Sequence, residues 1–113
     1  SHRVVTGTGT LFTIPCEAVF NAHKEVRRTA LVGVGPAGGK TPVLCVELEK
    51  GVQKRDALRE ELLALGAANG STKDIRTIVY HPAFPVDIRH NAKISREKLA
   101  AWAEGRLAAG VGS

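Results

Sequence analysis

The chain has 113 residues, 43% of them hydrophobic and 24% charged, which is the composition of one ordinary globular domain. No apolar run is long enough to cross a bilayer and the N-terminus lacks the apolar stretch of a secretory leader, so the cytoplasm is the expected location. The formal net charge of +5 fits attraction to nucleic acid, to a nucleotide or to an acidic protein surface. Aromatic residues make up only 4%, too few for the stacking platforms that bind single strands.

The first regular structure that the sequence predicts is a β-hairpin followed by a helix. Residues 3–13 are rich in valine and threonine, which favour strands, and Gly7 and Gly9 indicate a tight reversal. Pro15 is typical of the first turn of a helix, and Glu17 is placed to interact favourably with the dipole of that helix. We therefore expect a small hairpin that leads directly into a helix.

The rest of the chain predicts a small sheet with helices packed on it. Residues 29–34 and 41–49 are apolar segments that favour an antiparallel strand pair, the first strand being covered on both faces. Leucines at helical spacing predict a helix over 54–67, and residues 74–80 alternate as a third strand. A last helix begins after Ser95, which can cap it. The expected fold class is α+β, a three-stranded sheet with helices plus the N-terminal hairpin.

Two glycine-containing segments are candidate binding loops. "GVGPAGGKT", residues 33–41, resembles a phosphate-binding loop, but Val34 stands where the first glycine of that motif belongs, and a strand follows instead of a helix. A turn between strands is therefore the better interpretation. At residues 6–10, "TGTGT", the small side chains would let another surface approach the backbone closely. Composition alone favours a plain hairpin turn there.

The cysteines, histidines and acidic residues give no pattern typical of a metal site or a catalytic triad. Cys16 and Cys45 lie in apolar surroundings, and we interpret them as buried free thiols, because a disulfide or a metal site would need closer companions. The histidines share no ligand spacing with them. Asp56, Glu60 and Glu61 fall on the expected surface of a helix. We predict no metal site.

The segment "DIRHNAKISREKL", residues 87–99, concentrates basic side chains next to the start of the last helix. A lysine ammonium at this place could stabilise negative charge that develops on a phosphate or a carboxylate. Two prolines before the segment stiffen its approach to the helix. The alternative for Lys93 is an ordinary exposed lysine before a helix, and residue types and spacing alone favour that alternative.

Three segments, in this order, resemble the C-terminal domain of the adenylate-forming superfamily, which includes acyl-CoA synthetases, luciferases and peptide-synthetase adenylation domains. "GTLFTIPCEAVF" is similar to the family's glycine hairpin and the I-x-P-x-E motif after it, "HKEVRRTALVGV" to its H-P-x-V-x-x-A-A-V-V-G-V strand, and "AKISREKL" to its S-G-K-[IV]-x-R-x-x-L ending. Asn91 and Ala92 depart from the Ser-Gly of that ending. "TIPCEAVFN" and "FPVDIRHNAK" resemble the β-lactone synthetases of bacterial long-chain olefin biosynthesis.

The resemblance implies that residues 1–113 are a single mobile C-terminal lid, and that a large N-terminal domain for ATP and the carboxylic acid is absent from this chain. Lys93 would be the catalytic lysine of adenylate formation. The hairpin with Gly7, Gly9 and Thr10 would face the site in the second half-reaction. That step would form a β-lactone from a β-hydroxy fatty acid, or a thioester with CoA.

The resemblance also implies cofactors and partners. The full-length enzyme is expected to use ATP and Mg²⁺, with CoA as a possible further substrate, whereas the isolated domain is expected to be inactive and to hold none of them tightly. The expected partners are the N-terminal adenylation domain and a fatty acid or β-hydroxy acid, without nucleic acid or a membrane span. The alternative class is a stand-alone basic α/β module that binds nucleic acid or a protein partner.

Overall fold

The computed structural model describes residues 2–87 and 93–110. Within these ranges the chain forms a hairpin, a central sheet, a short strand pair and helices. In chain order the elements are β1 (Arg3–Thr6), β2 (Gly9–Phe12), α1 (Thr13–Asn21), β3 (Val26–Val34), β4 (Thr41–Leu48), α2 (Arg55–Ala67), β5 (Thr77–Tyr80), β6 (Val86–Asp87), β7 (Lys93–Ile94) and α3 (Arg96–Ala108). No helix in the described ranges is long and apolar enough to cross a membrane.

The central sheet has the strand order β3-β4-β5. β3 and β4 are antiparallel, with Leu31 opposite Leu44, and β4 and β5 are parallel, with Leu44 opposite Ile78. A parallel pair needs a long crossover connection, which α2 supplies. The predicted α+β fold, with its three-stranded sheet, its helices and its N-terminal hairpin, is confirmed.

Hydrophobic clusters cover both faces of this sheet. Successive side chains of a strand point to opposite faces, so Leu44 and Val46 of β4 pack with α1 and α2, whereas Val43 and Cys45 pack with α3. The side chains of β3 divide between the two clusters in the same way. The prediction that this apolar segment is covered on both faces is therefore confirmed.

Both cysteines are buried free thiols, as predicted. Cys16 belongs to the cluster on the α1 and α2 side, and Cys45 to the cluster on the α3 side. Burial, with a smaller contribution from the charge of Glu17, raises the pKa of the Cys45 thiol to about 12. Cys45 is therefore a packing residue in its neutral form at ordinary pH.

A glycine of α2 lies against the side of α1. Phe20 of α1 is fully buried, and a Cβ atom added to Gly66 of α2 would lie 2.9 Å from Phe20 Cζ and 3.1 Å from Phe20 Cε1. The Thr72 hydroxyl donates a hydrogen bond of 2.7 Å to the Gly66 carbonyl and closes the other side of this position. The ring therefore occupies the space that any larger residue at position 66 would need.

The structure differs from the sequence-based expectation in three local features. The prediction for Glu17 was wrong, because its carboxylate is buried against α3 and β3 and does not lie in the first turn of α1. Ser95 does precede α3, but its side chain makes no capping hydrogen bond. The pair β6 and β7 was not predicted, because strands of two residues are too short to show a periodic pattern.

Candidate functional site

Lys93 begins β7, the short strand that leads into α3. Its backbone lies opposite Asp87, and Ile94 lies opposite Val86, in an antiparallel pair. The Ser95 N–H donates a hydrogen bond of 2.9 Å to the Pro85 carbonyl and extends this pairing to the helix. The Lys93 side chain and residues 88–92 lie outside the described part of the structure. The catalytic role of Lys93 stays a prediction, whereas its backbone has a defined place in the fold.

Arg96, the first residue of α3, follows this strand pair and connects it to the rest of the domain. Its guanidinium makes a bidentate pair with Glu17 of α1: Nη1 contacts Oε2, and Nη2 lies 3.0 Å from Oε1. Glu17 Oε2 also accepts the N–H of Leu31 at 2.7 Å, and Arg96 Nη1 donates to the Leu31 carbonyl at 3.3 Å. β3 is an edge strand of the sheet. The ion pair therefore joins α1, β3 and the start of α3.

A second buried carboxylate, that of Glu47, holds the segment at residues 81–85, which leads into β6. Glu47 of β4 is only 5% exposed, and its Oε1 accepts the N–H of Phe84 at 2.8 Å and Nε of Arg28 at 2.8 Å. Arg27 Nε lies 3.2 Å from the other oxygen. Burial acts to raise the pKa of this carboxyl, but the Phe84 N–H and the two guanidinium groups outweigh burial, so the pKa lies below its ordinary value. Glu47 is therefore ionised at neutral pH.

His81, at the start of the same segment, contacts α3 through Trp102. Its ring lies edge-on to Trp102 of α3, with 4.5 Å between the ring centroids, and edge-on to Phe84, with 5.8 Å. His81 Nδ1 accepts the N–H of Ala83 at 3.0 Å. Burial lowers the pKa of the imidazole, with the Glu47 charge opposing, so the ring is neutral at pH 7. This neutral ring packs the segment at residues 81–85 against α3.

The tip of the N-terminal hairpin is exposed and held by its own threonines. The Thr6 hydroxyl donates to the Gly9 carbonyl at 2.9 Å and accepts the N–H of Thr8 at 3.2 Å. A Cβ atom added at Gly7 or at Gly9 would meet nothing within 4 Å, and Gly9 has φ +154°. Gly7, Gly9 and Thr10 are all exposed. The tip thus presents bare backbone, as expected from its composition, and its role in binding stays a prediction.

The two candidate elements belong to different strand pairs. β1 pairs with β2, whereas Lys93 pairs with β6. A groove of about 220 Å³ lies between the base of the hairpin at Arg3, the loop residue Lys40 and the start of α3 at Arg96 and Glu97. The base of the hairpin and the start of α3 therefore line the same groove.

The glycine-rich loop at residues 33–41 is a turn between β3 and β4, as predicted. Gly35 and Gly38 adopt left-handed conformations, with φ of +106° and +81°, and the ammonium of Lys40 donates to the Gly35 carbonyl at 3.3 Å. A strand follows the loop, so no helix N-terminus is available there for a phosphate. The loop instead supports the hairpin, because the Lys40 N–H donates to the Val5 carbonyl at 3.0 Å.

Metal ligands and the contacts of the arginines both bear on the function. Among residues 2–87 and 93–110, no group of three histidine, cysteine or acidic side chains is placed to hold a metal ion. Several arginines are engaged inside the domain: Arg28 with Glu47, Arg96 with Glu17, and Arg59 with the Ile78 carbonyl at 2.7 Å. Part of the positive charge therefore serves the fold and not an external polyanion.

Sequence reasoning missed the two buried carboxylates as parts of the candidate site. The sequence carried a signal for Glu47, since it is a charged residue inside an apolar strand and such residues are rarely buried without a partner. Glu17 and Arg96 both matched the family motifs, but nothing in their spacing showed that they meet. Their contact joins residues 79 positions apart.

Sequence comparison shows which known proteins the chain resembles. No family model matches the chain. The chain is 56% identical over 105 residues to the olefin β-lactone synthetase of Xanthomonas campestris pv. campestris, which covers 91% of this chain and 19% of that protein. The olefin β-lactone synthetase of Stenotrophomonas maltophilia is 54% identical over 107 residues, covering 95% and 19%. The chain thus spans about a fifth of the length of these relatives.

A solved structure supports the fold assignment. The anthranilate CoA ligase AuaEII, solved in complex with anthranoyl-AMP, superposes with a TM-score of 0.78 over 97% of this chain and 21% of that chain, at 20% identity. At this identity the match establishes the fold alone, whereas the two synthetases match nearly all of this chain at more than half identity. The chain therefore has the fold of the C-terminal domain of adenylate-forming enzymes, and nearly all of it is similar to about a fifth of the olefin β-lactone synthetases.

Proposed function

We propose that this domain is the mobile lid of an ATP-dependent acyl-adenylate-forming enzyme, and that it supplies Lys93 as the adenylation lysine. The observation that carries this proposal is the 56% identity to an olefin β-lactone synthetase over 91% of the chain. Because the chain spans only 19% of that protein, the pocket for ATP and the acid would belong to a separate N-terminal domain. The lid would dock on that domain to complete the site.

The first half-reaction gives a lysine at this position its chemical task. The substrate carboxylate attacks the α-phosphorus of ATP, an acyl–AMP bond forms, and pyrophosphate leaves with its electron pair. Negative charge builds on the phosphoryl oxygens as this happens, and a cation held there stabilises the transition state more than the ground state. The backbone anchoring of Lys93 between β6 and α3 supports this role, because a positioned cation needs a fixed base.

The second half-reaction would use the hairpin after the lid has turned. The substrate's own β-hydroxyl would attack the acyl carbon and release its proton to water, a ring C–O bond would form, and the acyl–AMP bond would break as AMP leaves with the electron pair, giving a β-lactone without CoA. The bare backbone at Gly7 and Gly9 supports a close approach to a neighbouring domain or to the substrate. We favour the β-lactone over a CoA thioester because both curated relatives carry the name of β-lactone synthetases.

Magnesium would accompany ATP in the full-length enzyme, but the described residues of this domain do not fit a site for it. No three potential ligands come together there. Mg²⁺ prefers carboxylate oxygens and substrate phosphates, and the buried carboxylates Glu17 and Glu47 are already bonded to arginines. We therefore assign no step to this chain through a metal ion.

Substitution of Lys93 in the full-length enzyme tests the proposed role. Lys93→Ala is expected to slow the adenylation step, measured as ATP–pyrophosphate exchange with a β-hydroxy fatty acid, by roughly 10²–10³, the effect of removing one key electrostatic stabiliser. Lys98→Ala is the matched control, because Lys98 is an exposed lysine on α3, five positions after Lys93, and it should exchange at the wild-type rate. Undiminished exchange by Lys93→Ala would overturn the proposal.

The product of the full-length enzyme tests the second half-reaction. With a β-hydroxy fatty acid and ATP, mass spectrometry is expected to find the β-lactone and AMP whether or not CoA is added. A product that appears only with CoA and carries its mass would identify an acyl-CoA ligase instead. The adenylation assignment of Lys93 would stand in that case, because both kinds of enzyme begin with the same step.

A further inference from the structure

The pair of short strands that carries Lys93 needs support from outside itself. β6 and β7 contain two residues each, and a two-stranded ribbon of any length is only marginally stable in water. Two of the residues next to the pair are bonded to buried carboxylates of the domain body: Phe84, two positions before β6, and Arg96, two positions after Ile94.

The carboxylate that holds the residues before β6 is that of Glu47. It accepts the Phe84 N–H at 2.8 Å, and Phe84 is 4% exposed within the cluster that packs against α3. Arg28 bonds the same carboxylate oxygen, and its guanidinium lies 5.4 Å from the centre of the Phe84 ring. The backbone and the ring of Phe84 are therefore both fixed before the chain enters β6.

The carboxylate that holds the residues after β7 is that of Glu17. It engages both terminal nitrogens of Arg96, and a bidentate fork fixes the plane of a guanidinium as well as its distance. The N–H and the carbonyl of Leu31 complete the contact, so the fork is bound to the edge of β3. The first residue of α3 is thereby fixed three positions after Lys93.

Fixing both ends of the strand pair matters for Lys93, because the proposed effect of its charge depends on where that charge lies. Removing charges from water offsets most of the attraction between them, so a buried ion pair contributes little net stability while it fixes geometry. A catalytic group that is displaced by about 1 Å can lose on the order of 10²-fold in rate. We propose that Glu17 and Glu47 are positioning residues for adenylate formation, which hold the two ends of the strand pair and thereby fix the base of Lys93. This inference rests on the proposed function of Lys93.

A purely structural role for the two carboxylates is the competing explanation, and a double-mutant cycle separates the two. In the full-length enzyme, Glu17→Gln and Glu47→Gln are each expected to slow ATP–pyrophosphate exchange by about 10-fold. When either is combined with Lys93→Ala, exchange is expected to stay within about twofold of Lys93→Ala alone, because a residue that acts through Lys93 has nothing left to position. Glu61→Gln is the matched control, because the Glu61 side chain is 61% exposed where it contacts His23, and it should exchange at the wild-type rate.

The outcomes distinguish this inference from the proposed function. If the losses multiply in the double variants, or if both glutamine variants exchange at the wild-type rate while Lys93→Ala is slow, the positioning role is overturned and the role of Lys93 stands. If Lys93→Ala itself exchanges normally, both are overturned. Should Glu17→Gln fail to fold, Arg96→Lys gives the same comparison, because it keeps the charge and loses the bidentate fork.

Discussion

The buried carboxylate of Glu47 gives a quantitative test of the fold through the substitution Glu47→Gln. The amide oxygen of glutamine can still accept the Phe84 N–H, so the change removes the charge while it keeps the shape. Hydrogen bonds to charged groups contribute about 1.5–3 kcal/mol and neutral ones about 0.5–1.5 kcal/mol, a difference of about 1 kcal/mol for the buried Phe84 bond. The side chains of Arg28 and Arg27 are 33% and 55% exposed, so their ion pairs add at most about 1 kcal/mol together.

The expected loss at pH 7 is therefore about 1–2 kcal/mol in the free energy of unfolding, or roughly 4–8 °C in Tm for a domain of this size. The loss depends on pH because the native pKa of Glu47 is lowered. A lowered native pKa gives stability that is present above the pKa of the unfolded chain, about 4.3 for glutamate, and that is lost as the pH falls through the native value. The difference between wild type and Glu47→Gln should shrink as the pH falls below about 4.3.

Urea denaturation of the 113-residue chain, followed by circular dichroism between pH 3 and pH 7, measures this difference directly. Glu49→Gln is the matched control, because Glu49 is exposed just beyond β4, and its effect should stay within about 0.5 kcal/mol at every pH. A Glu47→Gln variant as stable as wild type at pH 7, or a difference that stays constant down to pH 3, would refute the reasoning.

Three further predictions concern packing, thiol reactivity and nucleotide binding. Gly66→Ala should destabilise the domain by about 1–3 kcal/mol in urea denaturation, because its Cβ meets the Phe20 ring. The control Gly105→Ala, where a Cβ meets nothing within 4 Å, should stabilise α3 by up to about 1 kcal/mol. Equal effects of the two substitutions would contradict the packing argument. Cys45 should react with an aromatic disulfide reagent only in urea, because it is fully buried with a pKa of about 12, and prompt labelling of the native chain would contradict this. Calorimetry of the isolated chain with ATP should show no tight binding, and a micromolar Kd would contradict a nucleotide pocket in a separate domain.

Local patterns in the sequence determined most of the architecture. The apolar segments that became β3 and β4, the helical spacing of leucines in α2 and the glycines of the hairpin each express a preference of neighbouring residues. Backbone sterics and burial of apolar faces act over a few positions, so they can be read without knowing the rest of the fold. The same local reading correctly interpreted residues 33–41 as a turn.

The contacts around the candidate site were decided only by tertiary structure. Glu17 was expected to serve the dipole of its own helix, yet it meets Arg96, which is 79 positions away, and Glu47 meets Phe84 across 37 positions. Which charged groups pair depends on how α1, β4 and α3 pack, and no period of 2.0 or 3.6 residues encodes that arrangement. The sequence by itself determined that Lys93 stands before a helix in a family motif, whereas the packed core determined what holds its strand in place.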